Sequence, residues 1–135
     1  MEDFLKLFVA WTKKKIRHHV RMSSKKVYYH KGQIWWVALG KNIGFEMDGK
    51  HDAFHRPVLI LKKYNEHMCF VVPLTTQIKT QIVWYQISVP EGDRPRVANI
   101  SQGRTISIKR LLRKERTIEM KDLNRVKQAF CKQFL

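Results

Sequence analysis

The sequence predicts a mainly β domain with helices at its ends (α+β). A small antiparallel barrel or sheet is closed by a C-terminal helix and preceded by a basic amphipathic one. Three observations predict this. Short β-branched and aromatic runs recur from Gly32 to Ser101, turn-forming Gly, Pro and Asp punctuate them, and the hydrophobic period switches to that of a helix at both ends.

Taken in order, Phe4, Leu5, Phe8, Val9, Thr12 and Ile16 recur at helical spacing, and Lys13, Lys14, Lys15 and Arg17 follow among and after them. They predict a helix over residues 1 to about 24, with a break at Ser23-Ser24. Ile34 to Leu39 reads as the first strand and ends at Gly40. A polar, glycine-containing loop from Gly40 to His55 comes next. Pro57 opens the second strand, Val58 to Leu61, at a position where a missing ladder donor does no harm. Met68 to Leu74, Ile82 to Val89 and Arg96 to Ser101 are the third, fourth and fifth strands, with Pro90 to Pro95 as a turn between the last two. Ser107 to Leu112 reads as a short helical turn. Leu123, Val126, Phe130 and Phe134 then mark one face of a helix from about Lys121 onward. Residues 1–30 therefore form an N-terminal extension and residues 31–135 one domain.

With 135 residues the chain is long enough for one domain with a real core. Its hydrophobic content of 44% argues against a disordered basic tail. The charge is lopsided: 27 Lys+Arg against 11 Asp+Glu leave +16, a field that draws in polyanions, nucleic acid first among them. Cys69 and Cys131 lie far apart in apolar patterns, which reads as buried free thiols in a reducing cytoplasm and not as a disulfide scaffold. At the start, Glu2 and Asp3 precede the short apolar run and the positive charges follow it, the reverse of a secretory signal. No stretch approaches the length of a membrane span, so no membrane is expected as a partner.

Familiar catalytic constellations are absent. There is no phosphate loop of the G-x-x-x-x-G-K-[ST] kind and no Cys pair at zinc spacing. His51 and His55, with Asp48 and Asp52 nearby, have a spacing that would suit a metal only on a helix, and Gly49 places them in a loop. No metal or other cofactor is expected. Trp35, Trp36, Trp84, Tyr85 and Phe45 are aromatic surfaces on which RNA bases could stack, although strand alternation must turn one of each adjacent pair inward.

What remains is an ordered series of short segments. Gly32-Gln33-Ile34-Trp35-Trp36-Val37 comes first, then Gly44-Phe45-Glu46-Met47-Asp48-Gly49 and His55-Arg56-Pro57-Val58-Leu59-Ile60-Leu61. Val72-Pro73-Leu74-Thr75-Thr76-Gln77-Ile78 and Ile100-Ser101-Gln102-Gly103-Arg104-Thr105-Ile106 follow. In this order and spacing the series resembles the MazF/PemK family of toxin endoribonucleases, over roughly residues 31 to 134.

The resemblance implies an SH3-like barrel and the toxin of a type II toxin-antitoxin pair, acting in the cytoplasm as a homodimer. It further implies cleavage of single-stranded RNA, chiefly mRNA, to 2′,3′-cyclic phosphate and 5′-hydroxyl ends without a metal. Its cognate antitoxin would be acidic, a partner that +16 suits. Arg56 matches the family's Arg-Pro arginine and Thr75 its strand-end threonine, with adjacent Thr76 an open alternative. Arginine suits charge growing on a phosphoryl group because its planar fork matches phosphate and stays charged. Glu46 matches an acidic loop residue that could transfer a proton or orient substrate. Thr76, Gln77, Lys79, Ser101, Gln102 and Arg104 are the RNA-binding candidates. Asn99 and Ser101 stand where some relatives carry an arginine and an aspartate, so the division of proton transfer departs from theirs.

Singly, each residue has a plainer explanation. Arg56 alone would read as a cation capping a strand, Thr75 and Thr76 as good strand formers, and Glu46 as a solvated loop acid. Their order together carries the functional reading. Two other classes remain: a nucleic-acid-binding barrel without catalysis, and a protein-poisoning toxin of the CcdB-like type. The N-terminal helix lies outside the resemblance and reads as a packed basic helix, an arm for RNA phosphates or a partner surface.

Overall fold

The computed structural model describes residues 1–21, 26–90 and 94–135. Helix α1 spans Glu2–Val20. Seven strands follow: β1 Gln33–Ala38, β2 His55–Lys63, β3 Met68–Thr75, β4 Gln86–Val89, β5 Arg96–Asn99, β6 Arg104–Ser107 and β7 Leu111–Thr117. One-turn 3₁₀ segments at Ile100–Gln102 and Ile108–Arg110 flank β6, and helix α2, Met120–Phe134, ends the chain. The expected break at Ser23-Ser24 lies outside the described residues, as does the middle of the expected Pro90–Pro95 turn.

The strands form one antiparallel sheet in the order β4-β5-β3-β2-β1-β7, with β6 also on β3. The expected closed barrel is not formed, because β7 and β4 remain at opposite ends of the strand order among the described residues. The sheet is instead buried on both faces. Along β2 the side chains alternate: Leu59 and Leu61 join Ile34, Val72 and Leu74 on one face, while Val58 and Ile60 join Trp35, Val37 and Val71 on the other. Helix α2 covers the first face with Leu123 and Val126. Burying a side chain such as Leu123 contributes about 1.5–3 kcal/mol.

The two prolines inside strands explain how β3 is used. Pro57 lies in β2 opposite Trp36, before β2 first meets β3 at Val58↔Pro73. On its other edge β3 pairs β6 through Met68 to Val71 and β5 through Leu74 and Thr75. Pro73 lies between these two ladders, where the donor it lacks has no strand to meet. Thr75 consequently ends β3 two residues past its last pair with β2, at Pro73, and is held by β5 through Val97.

Several expectations need correction. Ile82 to Tyr85 is not strand: β4 begins at Gln86, and Ile82 and Trp84 are exposed. The fifth strand stops at Asn99, and Ile100 to Gln102 forms a 3₁₀ turn. The helical turn expected over Ser107 to Leu112 is confined to Ile108–Arg110, with strands on both sides of it. Cys69 is buried, whereas Cys131 is exposed. Of the adjacent aromatic pairs, Trp35 turns into the core and Trp36 is half-buried; Trp84 is exposed beside half-buried Tyr85.

Candidate active site

Arg56 lies in β2 and is only 7% exposed, which is unusual for an arginine. Two backbone carbonyls fix it: Nε donates to Asp48 O at 2.6 Å and a terminal nitrogen donates to Leu74 O at 3.3 Å. These bonds engage two of the five N–H donors of a guanidinium. Leu74 is the neighbour of Thr75, so the arginine is held against the strand end that carries the threonine. The Thr75 side chain is 6% exposed, and its Oγ1 accepts from the backbone N–H of Gln77 at 3.1 Å.

Both residues line a cleft of about 500 Å³. Thr76, Trp36, Lys50, His51, His55, Arg94, Arg96, Glu115 and Arg116 complete most of its wall. The cleft is therefore strongly basic. Glu115 is its one carboxylate among the described residues; Arg96 donates to it through both terminal nitrogens, one bond measuring 3.1 Å. That bidentate bond, before the charges of Arg96 and Arg116, holds Glu115 below the usual carboxylate range. His55 packs edge-on against Trp36 with ring centres 5.1 Å apart, and Arg113 lies over the same indole at 4.8 Å. Burial first, and then Arg113 and His51, push His55 below its ordinary value, so its imidazole is neutral at pH 7. Burial likewise lowers Arg56 from its ordinary value, partly offset by Asp48, and a guanidinium stays charged in proteins.

The loop from Gly40 to Phe54 positions Arg56. Asp48 Oδ2 accepts from Lys41 Nζ at 2.8 Å and Oδ1 from the Asn42 N–H at 2.5 Å, so the carbonyl that holds Arg56 belongs to an anchored residue. His51 and Phe54 both adopt positive φ, 61° and 52°. For a bulky residue such as Phe54 this is strained backbone, kept in place by packing against Trp11 and Ala38.

Two further cavities continue from Thr75. One of about 520 Å³ is lined by Thr75, Gln77, Lys79, Phe45, Ser101 and Gln102 among others. The other, of about 530 Å³, shares Ser101 and Gln102 with it and adds Glu46 and Arg104. Arg56, Thr75 and Thr76 are thus together, and Gln77, Lys79, Ser101, Gln102 and Arg104 extend outward from them in a row of connected cavities. Glu46 is not in the arginine cleft: its carboxylate accepts from Ile43 N–H at 2.9 Å within its own turn. Gln102 ties that turn down, accepting from Met47 N–H at 3.1 Å and donating to Phe45 O at 3.2 Å. Asp48 is turned to Lys41, and among the described residues no three His, Cys, Asp or Glu side chains gather as a metal site. The sequence reading missed Arg94 and Arg96, just before and at the start of β5, and Glu115 and Arg116, the last two because β7 has no apolar alternation to announce it.

Comparison with known proteins decides the family. The profile of the PemK-like, MazF-like toxins of type II toxin-antitoxin systems matches residues 30–134. The chain belongs to this family. Its members are endoribonucleases, and solved structures show the same fold. Mycobacterium tuberculosis toxin MazF-mt6 is 21% identical with a TM-score of 0.53, over 64% of this chain and 92% of its own. MazF from Deinococcus radiodurans is 15% identical with a TM-score of 0.59, over 76% and 93%. A mycobacterial endoribonuclease in complex with its cognate antitoxin is 19% identical with a TM-score of 0.59, over 78% and 93%. No protein with a curated description matches. The family profile begins at residue 30, so α1 lies outside it.

Proposed function

We propose that this toxin is an endoribonuclease that cuts single-stranded RNA by attack of a ribose 2′-hydroxyl on the adjacent phosphorus. The new O–P bond forms as the bond to the 5′-oxygen breaks, leaving a 2′,3′-cyclic phosphate and a 5′-hydroxyl. The observation that carries this reading is the pairing of a buried, backbone-locked Arg56 with Thr75 at the foot of a basic cleft. Arg56 stabilises charge that grows on the phosphoryl oxygens, and fixed geometry makes it effective because nothing has to reorganise during reaction. The Thr75 hydroxyl donates to a phosphoryl oxygen while its own oxygen is held by the Gln77 N–H. This chemistry needs no metal.

Proton transfer falls to groups in the same cleft. Neutral His55, the neighbour of Arg56, is suited to take the 2′-hydroxyl proton, and a water in the open cleft gives one to the 5′-oxygen as it leaves. Glu46, held in its own turn, would orient RNA along the loop. Thr76 would support the phosphate beside Thr75. Gln77, Lys79, Ser101, Gln102 and Arg104 would bind the flanking nucleotides along the row of cavities. In this reading residues 31–135 are the toxin domain and residues 1–30 an extension of it. The active form is a cytoplasmic homodimer restrained by an acidic antitoxin, a partner suited to +16.

The test is incubation of a long single-stranded RNA with purified protein in EDTA, followed by end analysis. Discrete fragments with 5′-hydroxyl and cyclic phosphate ends are expected. Intact RNA, or cleavage only when a divalent metal is added, would overturn the reading.

A further inference from the structure

The peptide unit that holds Arg56 is itself held by helix α1. The Asp48–Gly49 peptide offers its carbonyl to Arg56 Nε at 2.6 Å, while its N–H donates to Gly40 O at 2.8 Å. A trans peptide is planar and points these two groups in opposite directions, so the position of Gly40 sets the position of the arginine's acceptor. Gly40 also donates to Phe54 O at 3.0 Å, and the bridge between Lys50 and His55 closes the loop just beyond.

Helix α1 clamps both ends of this loop. Trp11, 6% exposed, lies on Gly40, where a Cβ would come within 2.3 Å of the indole, and it meets Phe54 at 5.7 Å between ring centres. Phe4 and Phe8 add a second hold. Lys41 Nζ lies 5.9 and 5.8 Å from their ring centres and donates to Asp48 Oδ2 at 2.8 Å. The side chains of Lys41 and Asp48 are only 20% and 26% exposed, which limits screening of the pair by salt. Three aromatic side chains of α1 thus bear on the first two residues of the loop, and each of those is bonded to the Asp48–Gly49 unit, Gly40 through backbone and Lys41 through its side chain. We propose that α1 is a positioning element of the active site: through Trp11 and Lys41 it fixes the Asp48–Gly49 peptide and so aims the remaining N–H donors of Arg56 at the phosphate. Lys41 is a positioning residue, acting through Asp48 and touching no reacting atom. The effect on cleavage rests on the proposed nuclease function; the effect on Arg56 does not.

Two measurements on the full chain test this. The first is single-turnover cleavage of a long single-stranded RNA at saturating protein, with RNA affinity measured by anisotropy. Trp11→Ala and Lys41→Met should slow cleavage about tenfold to hundredfold while affinity stays within about threefold. Lys41→Arg, which keeps a donor for Asp48, should restore most of the rate. In an Arg56→Ala background Trp11→Ala should slow cleavage no further, an outcome that a general loss of stability would not give. Ile16→Ser, on the exposed face of the helix, is the control and should cleave like wild type. The second is solvent exchange of the Arg56 Nε–H by nitrogen-15 NMR, the signal being identified by its loss in Arg56→Lys. Exchange should be slow in wild type and at least about tenfold faster in Trp11→Ala and Lys41→Met. Full-rate cleavage by Lys41→Met, unchanged Nε–H exchange, or a further loss on adding Trp11→Ala to Arg56→Ala would each overturn the idea. Should the wild type leave RNA intact, the nuclease reading falls by itself, and the exchange rates still decide whether α1 fixes Arg56.

Discussion

Replacing Trp11 with alanine should release α1 from the domain without unfolding the sheet. Trp11 is the helix's one buried side chain among the described residues, in contact with Phe54 at 5.7 Å between ring centres and with Arg110 at 5.8 Å. Gly40, at φ 91°, leaves the space the indole fills, since a Cβ there would run into the ring. Truncating a buried tryptophan costs about 3–5 kcal/mol. Few other tethers remain: Lys109 Nζ donates to His19 O at 2.6 Å and Arg21 donates to Lys109 O at 2.9 Å, both at exposed positions. A detached 19-residue helix is marginal in water, so undocking and unfolding of α1 should coincide. Native-state hydrogen exchange reads this directly. At about 1.4 kcal/mol per tenfold, amides of residues 2–20 should lose about 10²- to 10³-fold of protection. Those of β1, β2 and β3 should keep theirs. Gly40→Ala should act in the same direction, through left-handed strain and collision with the indole. Unchanged protection of α1 in Trp11→Ala, or collapse of the whole sheet with it, would refute this account of how the helix is held.

Three other outcomes follow from the same contacts. His55 and His18 are both lowered from 6.5 by burial, so the unfolded chain binds more protons just below that pH. Stability should therefore be complete above pH 6.5 and fall as the pH drops through this window, and urea midpoints of His55→Gln and His18→Gln should show a shallower fall. Leu123→Ala, which empties the contact between α2 and the sheet, should cost about 2–5 kcal/mol in urea denaturation. Lys79→Ala, at the wall of the second cavity, should weaken binding of RNA of any sequence and reduce the salt slope by about one counterion.

The central strands were legible because the core dictates their composition. Ile34 to Leu39, Val58 to Leu61 and Met68 to Leu74 are apolar on both faces, and each corresponds to an observed strand. α1 and α2 were legible from their periods. β7 was not, because Leu111–Thr117 is an edge strand with mostly exposed residues, whose Lys and Arg protect the edge and erase alternation. Its ladder to β1 is broken by register shifts on either side of Trp35–Trp36, a tertiary feature with no local signal. The same blindness hid Glu115 and Arg116, which enter the cleft only once β7 lies beside β1. Ile82 to Tyr85 misled in the opposite direction: its composition suits a strand, but β5 pairs with residues 86–89 and no farther. The proximity of Arg56 and Thr75 is different again. Nothing local predicts it, and it follows from β2 and β3 pairing in the register Val58↔Pro73.

The measurement that tests the central claim most directly compares binding and single-turnover cleavage of one RNA by the wild type and Arg56→Ala, with thermal unfolding as the control for fold. If Arg56 acts on charge that develops during reaction, the variant should bind RNA within about threefold of wild type while the cleavage rate falls about 10²- to 10³-fold. A folded variant that cleaves at the wild-type rate would contradict the account. So would one whose cleavage at saturating protein is intact and whose loss lies wholly in affinity.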